Sequence, residues 1–435
     1  MAPTFTSTPT PTPTPTPISG SGSGSGSDSG SGSGSGFNAV STFTEEHEEL
    51  RSTLRRFLAD KAPSGAVRRA MESAQGHDPA LWRQMAGQLG LHAMALPPRY
   101  GGFGGGPVEL GIVLEELGRV LLPSPYFATV ALAGQALAAS GDETAKARWL
   151  PAIADGSLTG TLALAEESGS WNLEDVAAEA VYRDDTWRVS GTKMFVVDGH
   201  RADLVLVVAR ADTGPALFAV EGAAPGVTRT PLETLDPTRR LARIDLDGAP
   251  APRVGPAGDA TGYLRTVLDL AAVALAAEQV GGARACLEAA VQYAGTRVQF
   301  GRPIGSFQAV KHKCADMLLR VEAARSAAYH AMAVAAGAAV PGGPSMPRTA
   351  GGTAGGRGGL PVAAAVAAAY CADAFTHAAK ENIQIHGGIG YTWEHDAHLY
   401  LKRAKSSEQL LGSPATHRRR LADLAGISVA TATKG

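Results

Sequence analysis

Between Tyr293 and Met317 the chain reads Arg297-Val-Gln-Phe300-Gly301-Arg302-Pro303-Ile304, which sets a guanidinium and a flat ring at the join of two helical stretches. Gly301 allows a sharp turn, Pro303 stops helical continuation, and Ser306 is the expected cap of the next helix. A guanidinium at such a corner can make a fork of charge-assisted hydrogen bonds to a phosphate, and Phe300 offers an apolar face to a ring. The competing role for Arg297 is to cap the last carbonyls of its own helix. Other polar groups gather further on. Glu394, His395 and His398 have a helical spacing that suits a metal ion, and equally suits exposed polar residues. His417-Arg418-Arg419-Arg420 is a basic cluster at a helix start and reads as a solvated face, not as a nucleic-acid contact.

A second segment, Gln384-Ile-His-Gly387-Gly388-Ile-Gly390, gives the first its context. Together they resemble the acyl-CoA dehydrogenase family, whose Arg-x-x-Phe-Gly corner and Gln-x-x-Gly-Gly-x-Gly loop they match. Pro97-Pro98-Arg99-Tyr100-Gly101-Gly102-Phe103-Gly104 is similar to the family's Pro-x-x-Tyr-Gly-Gly-x-Gly bend. No strand precedes these glycines, which argues against a dinucleotide fingerprint. The resemblance runs from about Phe43 to Ile427, apart from one insertion.

Elements to position such residues follow from composition and period. A chain of 435 residues with 44% apolar content fills two or three domains. A formal charge of -2 gives no general attraction to nucleic acid or an acidic membrane surface. Cys286, Cys314 and Cys371 are widely spaced in helical patterns, as expected of reduced thiols in a cytoplasm. No basic region followed by an apolar run marks an export signal at the N-terminus. The most apolar runs, Leu270 to Ala277 and Val362 to Cys371, fall short of the roughly 20 residues that cross a bilayer.

Residues 1–36 alternate Thr-Pro and then Ser-Gly and are expected to be a disordered tail. Apolar stripes at helical spacing from Leu50 to Leu58, around Trp82 and Met85, and from Val108 to Leu121 predict an all-α domain over 42–156. Seven short alternating runs over 157–258 predict a small antiparallel barrel or sandwich: Thr161 to Ala165, Ala177 to Tyr182, Trp187 to Ser190, Lys193 to Val197, Leu204 to Ala209, Leu217 to Val220 and Ala242 to Leu246. Over 259–427 the spacing predicts helices from Leu264 to Arg297, Ser306 to Val340, Pro361 to Ile385 and Asp396 to Ser407, a four-helix bundle broken by a flexible insertion at 341–360. The fold class expected is therefore mainly α with a central β domain, an acyl-CoA dehydrogenase-like order.

The resemblance implies α,β-dehydrogenation of an acyl thioester, with FAD as cofactor and a carrier such as an electron-transfer flavoprotein as acceptor. It implies that Arg297, Phe300, Gln384, Gly387 and Gly388 grip a neighbouring subunit's FAD, so the chain is expected to be a homo- or hetero-oligomer. The glycines suit this, since backbone amides approach a phosphate only where no side chain intervenes; Gly390 equally suits a tight helix-to-helix turn. Where the family's ring contacts fall, this chain has Ala165 for a hydroxyl-bearing residue, Phe195 for a tryptophan, and Val197, which cannot donate a hydrogen bond. The family's catalytic carboxylate falls on Leu411, and its alternative seat on the long helix falls on Ala271. Asp269 is about 200° around that helix from Ala271. Glu408, one turn before Leu411, is the remaining carboxylate, with a surface position as its alternative. Three readings follow: a dehydrogenase acting through another base, a non-catalytic subunit completing a partner's FAD site, and a flavin monooxygenase on the same fold.

Overall fold

The computed structural model describes residues 43–255, 257–337 and 359–427. The 1–36 tail lies outside them, as does all of the 341–360 insertion but its last two residues, which already belong to a helix. The first domain carries α1 (Glu45–Lys61), α2 (Ser64–Glu72), α3 (Pro79–Gly87), α4 (Pro107–Arg119), α5 (Gln135–Ala139) and α6 (Glu143–Ala154). Their starts follow local chemistry. Thr44 and His47 cap each other's backbone at α1, and the Asp78 and Asp142 carboxylates accept amide hydrogens at α3 and α6.

The middle domain is one eight-stranded sheet, built from β1 (Gly160–Ala163), β2 (Glu179–Arg183), β3 (Thr186–Val197), β4 (Leu204–Ala211), β5 (Gly214–Glu221), β6 (Val227–Pro231), β7 (Leu241–Pro250) and β8 (Arg253–Val254). The order is β6-β7-β3-β2-β4-β5-β8, with β1 alongside β4. It is not wholly antiparallel, because β1 pairs with β4 in parallel and β2 meets β4 in parallel at Glu179. The runs around Trp187 and Phe195 are a single strand, β3. Its register against β7 shifts between Val189 and Gly191 and again between Lys193 and Val196, which breaks the alternation along the sequence. β6 carries no alternating apolar pattern, because Val-Thr-Arg-Thr-Pro is mostly exposed.

The last domain holds α7 (Thr261–Thr296), the hairpin β9 (Val298–Gln299) and β10 (Arg302–Pro303), α8 (Gln308–Gly337), α9 (Gly359–His386), α10 (Ala397–Ser407) and α11 (Pro414–Leu424). Two expectations change here. Ser306 does not cap α8; it sits in a 3-10 turn over Ile304–Ser306, and α8 starts at Gln308. A fifth helix, α11, packs against α9 beyond the four predicted.

α4 crosses α7 at backbone distance. A Cβ on Gly118 would lie 2.2 Å from the Glu278 carbonyl oxygen, and one on Gly281 would lie 1.8 Å from that of Glu115, so neither position admits a side chain. The Arg51 guanidinium reaches Glu115 at 2.7 Å and the Tyr329 hydroxyl at 2.7 Å, tying α1, α4 and α8 together. By length and composition α7 and α9 each have a window apolar enough to cross a membrane, longer than the runs seen in the sequence. In α7 that window is 83% buried inside the protein and in α9 61%, which accounts for their apolar faces by packing.

Candidate functional site

Arg297 ends α7 in an extended conformation, and its amide still donates to the Tyr293 carbonyl. The next residues form the β9–β10 hairpin, whose turn residues Phe300 (φ 51) and Gly301 (φ 76) are both left-handed. That geometry throws the Phe300 ring outward, to 92% exposure. Arg302 lies over the Phe307 ring at 4.1 Å, whereas Arg297 is exposed and its guanidinium makes no hydrogen bond or ion pair among the described residues.

The second motif lies beside the first. Tyr293, one helical turn before Arg297, stacks on His386 at 4.3 Å, immediately before Gly387. Gln384 is exposed and its side-chain amide donates to the Tyr391 hydroxyl at 3.1 Å. Gly387 (φ 63) and Gly388 face open space, since a Cβ on either would meet nothing within 4 Å. Gly390, in contrast, is buried with a Cβ position 3.0 Å from the Ile383 carbonyl, so its glycine serves the turn. The corner thus presents a free guanidinium, an amide side chain and an open glycine backbone, a donor set that suits a phosphate ester. His395 and His398 do not converge: His395 packs on His386, and His398 on Trp393.

A cleft of about 690 Å³ opens between the β1–β2 loop, the start of α7, the Leu411–Ser413 turn and α11. Trp171, Leu268 and Leu411 give it apolar walls, and Arg265, Arg419 and Arg420 line it with positive charge. Leu411 (φ 63) is a non-glycine residue in the left-handed region, followed by Gly412 (φ 109), so the turn is strained at the seat of the expected carboxylate. Ala271 is fully buried, and its neighbour Ala272 lines the cleft instead. Asp269 faces α11, where its two oxygens take hydrogen bonds from Arg420 at 2.5 and 3.0 Å. Glu408 is spent elsewhere, on the Thr376 hydroxyl at 3.1 Å and the Lys405 ammonium at 2.6 Å.

The basic cluster at the start of α11 is not the solvated face expected of it. His417 is buried and lines the cleft, Arg420 is half-buried against Asp269, and only Arg418 and Arg419 are exposed. The alternation of Ser413, Pro414 and His417 across a helix start held the signal: the fourth residue of a capped helix points back under its own cap.

Beside Val197 and Asp198 only about 20 Å³ is free, room for a single water. The space is taken by Arg239 and Arg403, both held by the Glu278 carboxylate, with Asp236 on the far side of Arg403 at 2.9 Å. Burial pushes the Asp198 carboxyl up to about 7 against the pull of these arginines. On the other side of the strand, Lys193 is fully buried and donates to Glu166 at 2.6 Å; burial lowers it to about 8 and Glu166 opposes that shift. The Ala165 carbonyl accepts the Met194 amide, and Phe195 packs near Gly169 on the edge of the cleft.

Three family models cover the chain in succession: the acyl-CoA dehydrogenase N-terminal domain at 44–157, the middle domain at 161–247 and the C-terminal domain at 261–425. The chain belongs to the acyl-CoA dehydrogenase family. These are flavoprotein oxidoreductases acting on the CH–CH group of acyl-CoA. The chain is 38% identical over 380 residues to acyl-CoA dehydrogenase IpdE2 of Mycobacterium tuberculosis, covering 87% of this chain and 96% of that one. Among solved structures it is similar to a variant of the Tcur3481-Tcur3483 steroid ACAD, at 34% identity and TM-score 0.76 over 88% of this chain and 98% of that one. It is also similar to the ChsE4-ChsE5 complex of Mycobacterium tuberculosis, at 29% identity and TM-score 0.78 over 89% and 99%. Within the acyl-CoA dehydrogenase frame, the two sequence motifs stand together on an open face, and the expected carboxylate seats are apolar.

Proposed function

We propose that this chain is a subunit of an FAD-dependent acyl-CoA dehydrogenase, converting an acyl thioester to its enoyl thioester. The observation that carries this reading is the exposed corner. Among the described residues the Arg297 guanidinium has no hydrogen bond or ion pair, Gly387 and Gly388 leave open space where a side chain would stand, and exposed Gln384 and Phe300 belong to the same two motifs, which fits the pyrophosphate of an FAD seated in a neighbouring subunit. FAD would supply the hydride acceptor. The chain's own residues would bind and orient: Arg297 and Gln384 by hydrogen bonds, Phe300 by its face, and the apolar walls of the cleft by excluding water from the acyl group. An electron carrier such as an electron-transfer flavoprotein and a soluble, cytoplasmic setting accord with this chemistry.

A second reading has its own support. Leu411 stands in the carboxylate seat, and Arg239 and Arg403 fill the space beside Val197, so the chain would complete the FAD site of a different subunit and leave the chemistry there. The paired names of two similar structures favour such an assembly. Purifying the chain alone and with a candidate partner, then recording flavin absorbance and its bleaching by acyl-CoA without oxygen, separates the two. Full flavin and bleaching in the chain alone supports the first reading; flavin only in the mixture supports the second. Oxygen consumption with a reduced flavin donor would instead indicate a monooxygenase.

A further inference from the structure

The cleft beneath Leu411 lacks a carboxylate on its floor, and the groups that line it sort clearly by depth. Glu174 is exposed and paired with Arg265, and Asp423 is exposed near the end of α11, so both carboxylates sit at the rim. His417 alone among the lining groups is both buried and able to exchange a proton near neutral pH. Its place is fixed by the helix start. Ser413 caps α11, Pro414 opens it, and the His417 amide bonds back to the Ser413 carbonyl at 3.1 Å. The ring therefore lies against the Leu411–Gly412 turn: a Cβ on Gly412 would be 3.4 Å from His417 Nε2. Nδ1 is buried without a hydrogen-bond partner among the described residues.

We propose that the His417 imidazole is the base that takes the α proton of an acyl thioester held in this cleft. The proposal rests on the reading that the cleft receives such a thioester. In the step, the Cα–H bond breaks, its proton passes to Nε2, since Nδ1 is sealed from the cleft, and the electron pair spreads on to the thioester carbonyl as an enolate; nothing is oxidised. The groups around the ring favour its neutral, accepting form. Burial lowers its proton affinity first and the Arg420 guanidinium adds to that, while the Leu411 and Gly412 backbone pulls the other way. Arg265 and Arg419 share the same cleft, Asp269 is spent on Arg420, and Ala368 and Ala372 of α9 line a small pocket that His417 also lines. Arg419, which makes no ion pair among the described residues, also favours the developing enolate charge.

The test uses the full chain as purified, with its flavin and any partner, and phenylacetyl-CoA in D2O. This thioester has acidic α protons and no β hydrogen to lose, so proton exchange is read by NMR apart from oxidation. Wild type is expected to exchange the α protons, and His417→Gln to lose about a hundredfold or more of that rate, with flavin absorbance and melting temperature unchanged. His417→Asn serves if the glutamine variant fails to fold. Adding Leu411→Glu to His417→Gln should restore exchange by putting a carboxylate on the same wall. Wild-type exchange in a folded His417 variant, or no exchange by wild type above buffer, overturns the proposal. Exchange in a chain that carries no flavin in any assembly would sink the FAD reading and leave His417 standing. Flavin bleaching by a saturated acyl-CoA, which does have β hydrogens, together with unchanged phenylacetyl-CoA exchange in His417→Gln would do the reverse.

Discussion

The Arg297–Gln384 corner and the cleft beneath Leu411 are built on opposite principles. The corner is exposed and its shape comes from backbone: a two-residue left-handed turn, a helix end and two uncovered glycines. The cleft and the buried cluster beside it are made of side chains, several of them charged and held by one another. Backbone-made sites keep their form when neighbouring side chains change. A side-chain-made site changes its chemistry with a single substitution, as a leucine at 411 would where a carboxylate is expected. If this contrast holds, changes at the cluster should cost stability and changes at the corner should cost ligand binding.

The largest effect is expected at Glu278. It is buried and holds both Arg239 and Arg403, so Glu278→Ala leaves the buried Arg239 without a carboxylate and Arg403 with Asp236 alone. Breaking such a pair costs about 3–5 kcal/mol, which urea denaturation would register. A loss below about 1 kcal/mol would mean the cluster behaves as a surface pair and would erase the contrast. Next comes Arg297→Ala. The guanidinium makes no hydrogen bond or ion pair among the described residues, so stability should hold, while the loss of charge-assisted bonds worth about 2–3 kcal/mol weakens FAD retention about 30- to 150-fold. Equal retention, measured by flavin content after dialysis, would remove Arg297 from the site.

A smaller effect distinguishes the two regions by pH. Burial holds the His417 imidazole below its ordinary value, so between that lowered value and the ordinary one the unfolded chain binds the proton and the folded chain does not. Its contribution is therefore fully present above the ordinary imidazole range and is lost as pH falls below it, at up to about 1.4 kcal/mol per pH unit. His417→Gln should flatten the acid side of the stability profile. An unchanged slope would place the ring in water.

What the sequence made legible divides along the same line. The bend after Arg297 was legible because turn chemistry depends on Gly and Pro at fixed offsets, whereas Gln384, Gly387 and Gly388 were joined to it by the family resemblance; the structure brings both motifs to one face through the Tyr293–His386 stack. The domain order was readable from the change of period near Gly160. His417 was misread as solvated because a run of four basic residues looks uniform along the chain, yet the helix start turns one inward and leaves two outside. The Arg239, Glu278 and Arg403 cluster was invisible, since its members come from a loop and two helices with no pattern linking them. The single sheet with its parallel β1–β4 pairing was equally hidden, because alternation fixes which face a strand buries and not which strand it meets.

The smallest effect is the sharpest separation of fold from function. Phe300 holds φ 51 in the hairpin turn, a conformation that costs a bulky residue about 1–2 kcal/mol and that asparagine tolerates. At 92% exposure the ring gives back little burial, and its edge contact with Phe307 at 6.1 Å offsets part of that cost. A protein folding for stability alone would have no use for phenylalanine there. Phe300→Asn should leave the hairpin more stable by about 0.5 kcal/mol, seen as slower amide exchange at Gln299 and Arg302, and should at the same time lower FAD retention by removing the flat face. Slower exchange with full retention would show that the ring serves some other partner on this face, and faster exchange would show that the Phe307 contact, not a ligand, is what keeps the ring in place.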